Sequence, residues 1–133
     1  TAVEINSNAC KQLEKIKKIS VINKPISKLK IKDKFDLVLL KGVLIHVNPN
    51  QLKKIYKKIS TLSSKYVLIA EYYNPYPIKI DYRHHKNKLF KRDFAGEFVA
   101  NNRNFKIVDY GFVYKKDKFP QDDLTWFLIK KLK

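Results

Sequence analysis

Two nearly continuous apolar runs bracket one amphipathic helix, and this arrangement restricts the fold more than any other feature. The first run is Phe35-Asp36-Leu37-Val38-Leu39-Leu40 and the second is Tyr66-Val67-Leu68-Ile69-Ala70. Neither alternates apolar with polar residues, which is the pattern of strands buried on both faces in parallel sheets. Between them, Asn48-Pro49 offers a helix cap followed by proline at the first helical position. Leu52, Ile55, Tyr56, Ile59 and Leu62 then recur at steps of three and four, with Lys53, Lys54, Lys57 and Lys58 opposite. The reading is strand, helix, strand.

The flanks extend this rhythm. Residues 1–5 are β-branched and read as a strand, and Asn6 or Ser7 can cap a helix carrying Ala9, Leu13 and Ile16. Residues 20–23 read as a second short strand, stopped by Lys24-Pro25. Residues 72–92 break the pattern with Tyr72, Tyr73, Tyr76, two prolines, Tyr82 and the polar run Arg83-His84-His85-Lys86, and are predicted as a long functional or mobile loop. Asp93 can cap a short helix with Phe94, Phe98 and Val99. Residues 105–114 and 124–129 read as two strands, joined by a connection suited to an antiparallel pair. The prediction is an α/β fold in one domain spanning residues 1–133, its sheet mostly parallel with an antiparallel edge.

The charge of +17 invites a nucleic-acid partner, but its make-up argues against one. Of 29 basic residues 26 are lysine and 3 arginine, whereas specific phosphate and base recognition favours arginine. Lysine, isoleucine and asparagine together make up 50 of 133 residues, a bias that a low-GC genome produces. The excess is spread, +11 over residues 1–65 and +6 over residues 66–133. A basic nucleic-acid-binding module remains an alternative, as does a non-catalytic remnant with an exposed sheet edge. There is no run of 18 apolar residues for a membrane helix, so no membrane partner is expected. The lone Cys10 excludes an intramolecular disulfide and fits the cytoplasm. His46, His84 and His85 show no metal-ligand spacing, and no metal is expected. No Walker loop or GxGxxG is present.

Ligands in open parallel sheets sit at the carboxyl ends of strands. Glu4 ends the first strand, where a carboxylate can accept from ribose hydroxyls; a surface glutamate near a helix N-terminus explains it equally well. The run after residue 40 offers Gly42 for close backbone approach and His46 as a general base, against the alternative of a half-buried, hydrogen-bonded histidine. Glu71 should lie at the sheet edge, because a buried unpaired carboxylate is costly. Asn74-Pro75-Tyr76-Pro77 superficially matches the Asn-Pro-Pro-Tyr signature of amino-group methyltransferases, but it follows the wrong strand and is set aside.

Several segments together carry a resemblance. They are Val3-Glu4-Ile5-Asn6, Gly42-Val43-Leu44-Ile45-His46-Val47-Asn48-Pro49, Ile69-Ala70-Glu71-Tyr72-Tyr73-Asn74-Pro75, Tyr82-Arg83, His85-Lys86, Leu89-Phe90-Lys91-Arg92-Asp93-Phe94-Ala95-Gly96-Glu97, Asp109-Tyr110-Gly111-Phe112-Val113-Tyr114 and residues 119–127, opening Phe119-Pro120-Gln121-Asp122-Asp123. The chain resembles the pseudaminic acid biosynthesis-associated methylases, among the class I S-adenosylmethionine-dependent methyltransferases. The resemblance implies a Rossmann-like sheet ordered 3-2-1-4-5-7-6, with strand 7 antiparallel. It also implies that this chain supplies strands 2 to 7, as the C-terminal part of a longer protein. Strand 1 and the glycine-rich loop that carries the methionine moiety would then be missing, and the chain alone would be inactive.

The resemblance further implies S-adenosylmethionine as cofactor, bound by Glu4, Ile5, Asn23, Lys41 and Gly42. It implies His46, Glu71 and Tyr72 as catalytic residues. Tyr82, Arg83, Lys91, Arg92, Asp93 and Asp122 would hold a small polar acceptor, an anionic sugar of the pseudaminic acid type. Where relatives tend to read Arg-Gly-His, this chain has Arg83-His84-His85, which alters the local turn.

Overall fold

Helix α2 (Pro49–Leu62) shows how closely the local sequence dictates the fold. In the computed structural model, which describes residues 1–82, 85–119 and 122–132, the Asn48 side chain accepts from the Asn50 amide at 3.0 Å. Pro49 opens the helix where an N–H has no partner anyway. Leu52, Ile55, Tyr56, Ile59 and Leu62 are all buried, and the four lysines point outward.

The chain divides into two compact units, Thr1–Lys32 and Asp33–Lys133. In the first, β1 (Ala2–Glu4) pairs in parallel with β2 (Val21–Asn23), and α1 (Ser7–Leu13) connects them. Asn6 caps α1, its side chain accepting from the Asn8 and Ala9 amides. The helix stops at Leu13, one turn short of the predicted Ile16, which is exposed; Lys18, at φ +72°, lies in the turn that follows. Cys10 is buried with its thiol 3.5 Å from the Glu4 carbonyl.

In the second unit, β3 (Phe35–Lys41) and β4 (Ser63–Glu71) run parallel on either side of α2 in the chain, as predicted. Helix α3 (Phe94–Asn101) follows later, capped by Asp93, whose carboxylate accepts from the Gly96 amide at 2.8 Å. The last two strands, β7 (Phe105–Val113) and β8 (Leu124–Lys131), form the expected antiparallel pair. The sheet order is β3-β4-β8-β7, with β8 antiparallel to both neighbours. One face is closed by α2 and α3. Phe98 lies 5.1 Å from Phe105 and 6.0 Å from Tyr56, ring centre to ring centre, both edge-on. All three rings are buried, each contributing about 2–3 kcal/mol of transfer free energy. The opposite face carries Leu39, Leu68 and Leu128 side by side, and there Leu37 and Leu39 are half exposed.

Residues 72–92 depart from the predicted loop. They contain β5 (Ile78–Tyr82) and β6 (His85–Lys91), an antiparallel hairpin whose Leu89 and Phe90 are both buried. Strand β6 packs against a 3-10 turn at Leu44–His46. Pro75 and Pro77 precede the hairpin and do not interrupt it, and the short Ile78/Ile80 alternation was hidden among charged neighbours.

Candidate active site

In the first unit, the structure brings Glu4 and Asn23 together. They are directly paired across β1 and β2, and the Asn23 side-chain amide donates to the Glu4 carbonyl at 2.9 Å. The Glu4 carboxylate accepts from the Asn6 amide through Oε1 at 2.7 Å, which aims the side chain at the N-terminus of α1 and leaves Oε2 for an outside donor. Ile5 is 70% exposed beside it. Both readings of Glu4 from the sequence meet here, since it is a helix-end carboxylate and also sits at a strand's carboxyl end.

In the second unit, the ends of β3 and β4 build one structure. Gly42 has φ +62°, a conformation other residues adopt only with strain, and it turns the chain so that successive amides point one way. The Val43 and Leu44 amides both donate to Oε1 of Glu71 at 2.9 Å, and the Ile45 amide donates to Oε2 at 3.4 Å. Glu71 is 2% exposed, so the expectation of an edge position is corrected. The carboxylate is buried because backbone donors replace its water. Burial pushes its pKa up; the amides of Leu44, Val43 and Ile45 and the charge of His46 pull against that shift. His46 itself ends the 3-10 turn and is exposed, not half-buried. A side-chain carbon added at Gly42 would meet nothing within 4 Å, so the backbone there is open to a ligand. Lys41 is exposed one residue earlier.

The other expected site residues separate. Lys91 and Tyr72 meet, the ammonium lying 5.1 Å from the ring centre. The Arg92 Nε donates to Glu97 at 2.6 Å, and the Tyr56 hydroxyl donates to the second Glu97 oxygen at 2.9 Å. This ties the start of α3 to α2. Burial first, then the Glu97 charge, drives the Tyr56 phenol far above its ordinary pKa. Asp93 is occupied as the α3 cap, with Gly96 required because a side chain there would collide with that carboxylate. Asp122 is exposed ahead of β8. Tyr82 ends β5, and Arg83 lies outside the described residues. Among the described residues no cluster of His, Cys, Asp and Glu could hold a metal, and no helix is long and apolar enough to cross a membrane.

A small crevice opens beside Glu71, lined by Tyr73, Arg92, Phe94, Thr125 and Phe127 among others. None of Tyr73, Thr125 or Phe127 was among the expected site residues. Only the register of β8 against β4, which sets Thr125 opposite Glu71, brings them there.

The strand orders β2-β1 and β3-β4-β8-β7, with β8 antiparallel, are the two stretches 3-2 and 4-5-7-6 of the class I order. The chain has the Rossmann-like fold of class I S-adenosylmethionine-dependent methyltransferases. The 1,6-didemethyltoxoflavin-N1-methyltransferase of Burkholderia thailandensis, solved with S-adenosylhomocysteine, is similar to it at 17% identity and a TM-score of 0.67, over 85% of this chain and 51% of that one. A methyltransferase from Methanosarcina mazei is similar at 15% and 0.67, over 98% of this chain and 80% of its own. Magnesium protoporphyrin IX methyltransferase from Synechocystis PCC 6803, solved with bound S-adenosylmethionine, is similar at 14% and 0.62, over 97% and 57%. The chain thus spans between about half and four fifths of these structures. No family model matches the sequence, and no curated protein matches it.

Proposed function

We propose that the chain is the larger part of an S-adenosylmethionine-dependent methyltransferase acting on a small polar acceptor, an anionic sugar of the pseudaminic acid type. The observation that carries this reading is the turn after β3. Gly42 and three amides wrapped on Glu71 form a preorganised, ligand-accessible strand end in a class I fold. The residues fit the cofactor. In the first unit, Glu4 is half-buried at the end of β1 beside Asn23 and Ile5, as suits a carboxylate that accepts from ribose hydroxyls; in the second, taken by itself, the open backbone at Gly42 admits close approach. The cofactor supplies an electrophilic methyl group on sulfonium.

The chain's own residues position and deprotonate. Glu71 is a positioning residue, since its carboxylate fixes the amides of Val43, Leu44 and Ile45 and so places His46. His46 is exposed and takes the acceptor's proton at a ring nitrogen. Tyr72 and Lys91, joined by their cation–π contact, offer a hydroxyl and a cation to a polar anionic acceptor.

The test is a titration of S-adenosylhomocysteine into the 133-residue chain followed by NMR. Shifts at the Glu4, Asn23 and Gly42 amides at millimolar ligand, weakened at least tenfold in Glu4→Ala, support the reading. An unmoved spectrum at millimolar ligand refutes it. In a competent assay His46→Gln is expected to abolish transfer to a hydroxyl while leaving those shifts in place.

A further inference from the structure

A row of aromatic rings leaves the Glu71 crevice and runs outward along the carboxyl end of the sheet. Phe127 is its centre. Tyr73 lies 5.8 Å from it at 48°, and Tyr110 lies 6.1 Å away at 27°, nearly stacked. Phe112 and Tyr114 continue the row, 6.5 Å apart. Tyr110 is 70% exposed and Phe112 is 61% exposed. Large rings in such positions lose apolar hydration only when something covers them.

A register irregularity creates the row. Strand β7 pairs Ile107 with Ile129, then slips by one residue so that Asp109 faces Leu128 and Tyr110 faces Phe127. Without that bulge, Tyr110 and Phe112 would sit on the opposite face of the sheet, because side chains alternate. Bulges re-aim side chains and concentrate beside active sites. On the far face the same register sets Gly111 against Trp126, where an added side-chain carbon would stand 2.7 Å from the indole.

Resting on the methyltransferase reading, we propose that Tyr73, Phe127, Tyr110 and Phe112 form the platform on which the ring of the acceptor lies, and that the ring is an acidic pyranose. The row is one-sided, so the ligand's other face stays in water, as suits a hydroxylated ring. Phenol hydroxyls at Tyr73 and Tyr110 put hydrogen-bonding groups next to apolar ring faces. Arg92 lines the adjoining crevice, its Nε–H paired with Glu97, and its guanidinium carries further N–H donors suited to an anionic substituent. A second protein copy fits less well. Four rings about half exposed offer on the order of 400 Å², below the roughly 800 Å² per partner of a stable interface.

The experiment uses N-acetylneuraminic acid as the acidic pyranose and N-acetylglucosamine as the neutral one, titrated into the 133-residue chain and followed by aromatic NMR signals. Tyr110 is exposed, so Tyr110→Ala keeps the fold. The acidic sugar is expected to shift Tyr73, Tyr110 and Phe127 signals, to bind more tightly than the neutral sugar, and to lose at least tenfold affinity in Tyr110→Ala but under threefold in Tyr110→Phe. Unshifted rings at millimolar sugar, equal affinity in Tyr110→Ala, or self-association in sedimentation abolished by that variant without sugar binding would each overturn the proposal. Cofactor binding is read separately with S-adenosylhomocysteine. Sugar binding without it sinks the methyltransferase reading and leaves the platform; the reverse sinks the platform alone.

Discussion

Replacing Glu71 tests whether a buried carboxylate organises the strand end. In Glu71→Ala, the buried amides of Leu44 and Ile45 lose their acceptor. Each unsatisfied buried N–H costs about 1–3 kcal/mol, and removing a buried charge offsets part of that, leaving a net loss of about 3 kcal/mol. Glu71→Gln behaves differently. The two short bonds, from Val43 and Leu44, both end on Oε1, so a glutamine carbonyl placed there keeps them. Only the 3.4 Å bond from Ile45 is replaced by an opposed amide, at about 1 kcal/mol. Urea denaturation followed by circular dichroism reads both losses as midpoint shifts at constant slope. An alanine variant within 1 kcal/mol of wild type, or a glutamine variant as unstable as alanine, refutes the reasoning. The pH dependence has a definite sign. The carboxyl pKa rises on folding from its reference value of 4.5, so the folded state binds that proton more tightly. The wild type's stability relative to Glu71→Gln therefore falls as pH rises above about 4.5, and levels off above the folded pKa.

Other perturbations follow from single contacts. Gly42→Ala should lose about 1–2 kcal/mol from its φ of +62° alone, measurable by thermal unfolding. Tyr56→Phe removes the buried hydroxyl bond to Glu97 and should cost about 1–2 kcal/mol in urea, while Arg92 keeps its partner. In a spectrophotometric titration, Tyr56 is expected to stay protonated well above the usual phenol range, near 10, so the phenolate signal of Tyr56→Phe should match wild type through that range. Asp93→Ala removes the α3 cap and should cost about 1 kcal/mol, seen as a lower unfolding midpoint.

The repeating βα rhythm was legible because its signals are local. Asn48-Pro49 and the spacing from Leu52 to Leu62 are cap and stripe within one segment, and the runs in β3 and β4 needed no partner to be read as buried. What escaped depends on groups the residue alphabet does not show. Glu71 was placed at the edge because no cation stands near it in sequence, yet its partners are backbone amides, signalled only by Gly42. Arg92 and Asp93 read as ligands for an acceptor, but most of their geometry goes to Glu97 and Gly96 within five residues. The aromatic row was invisible because its rings come from three segments, and one bulge decides which way β7 faces.

Strand β3 borders the four-stranded sheet, and its outer edge takes no strand partner among the described residues. Next to that edge, Leu37 and Leu39 are 49% and 58% exposed. Such an edge is a template for pairing with another chain. Between two copies, however, each carrying +17, the approach is opposed by long-range repulsion. Colloidal behaviour then depends on ionic strength. The screening length is about 30 Å at 0.01 M salt and about 3 Å at 1 M. A concentrated solution of the 133-residue chain should stay dispersed in dilute buffer and associate edge to edge as salt is raised.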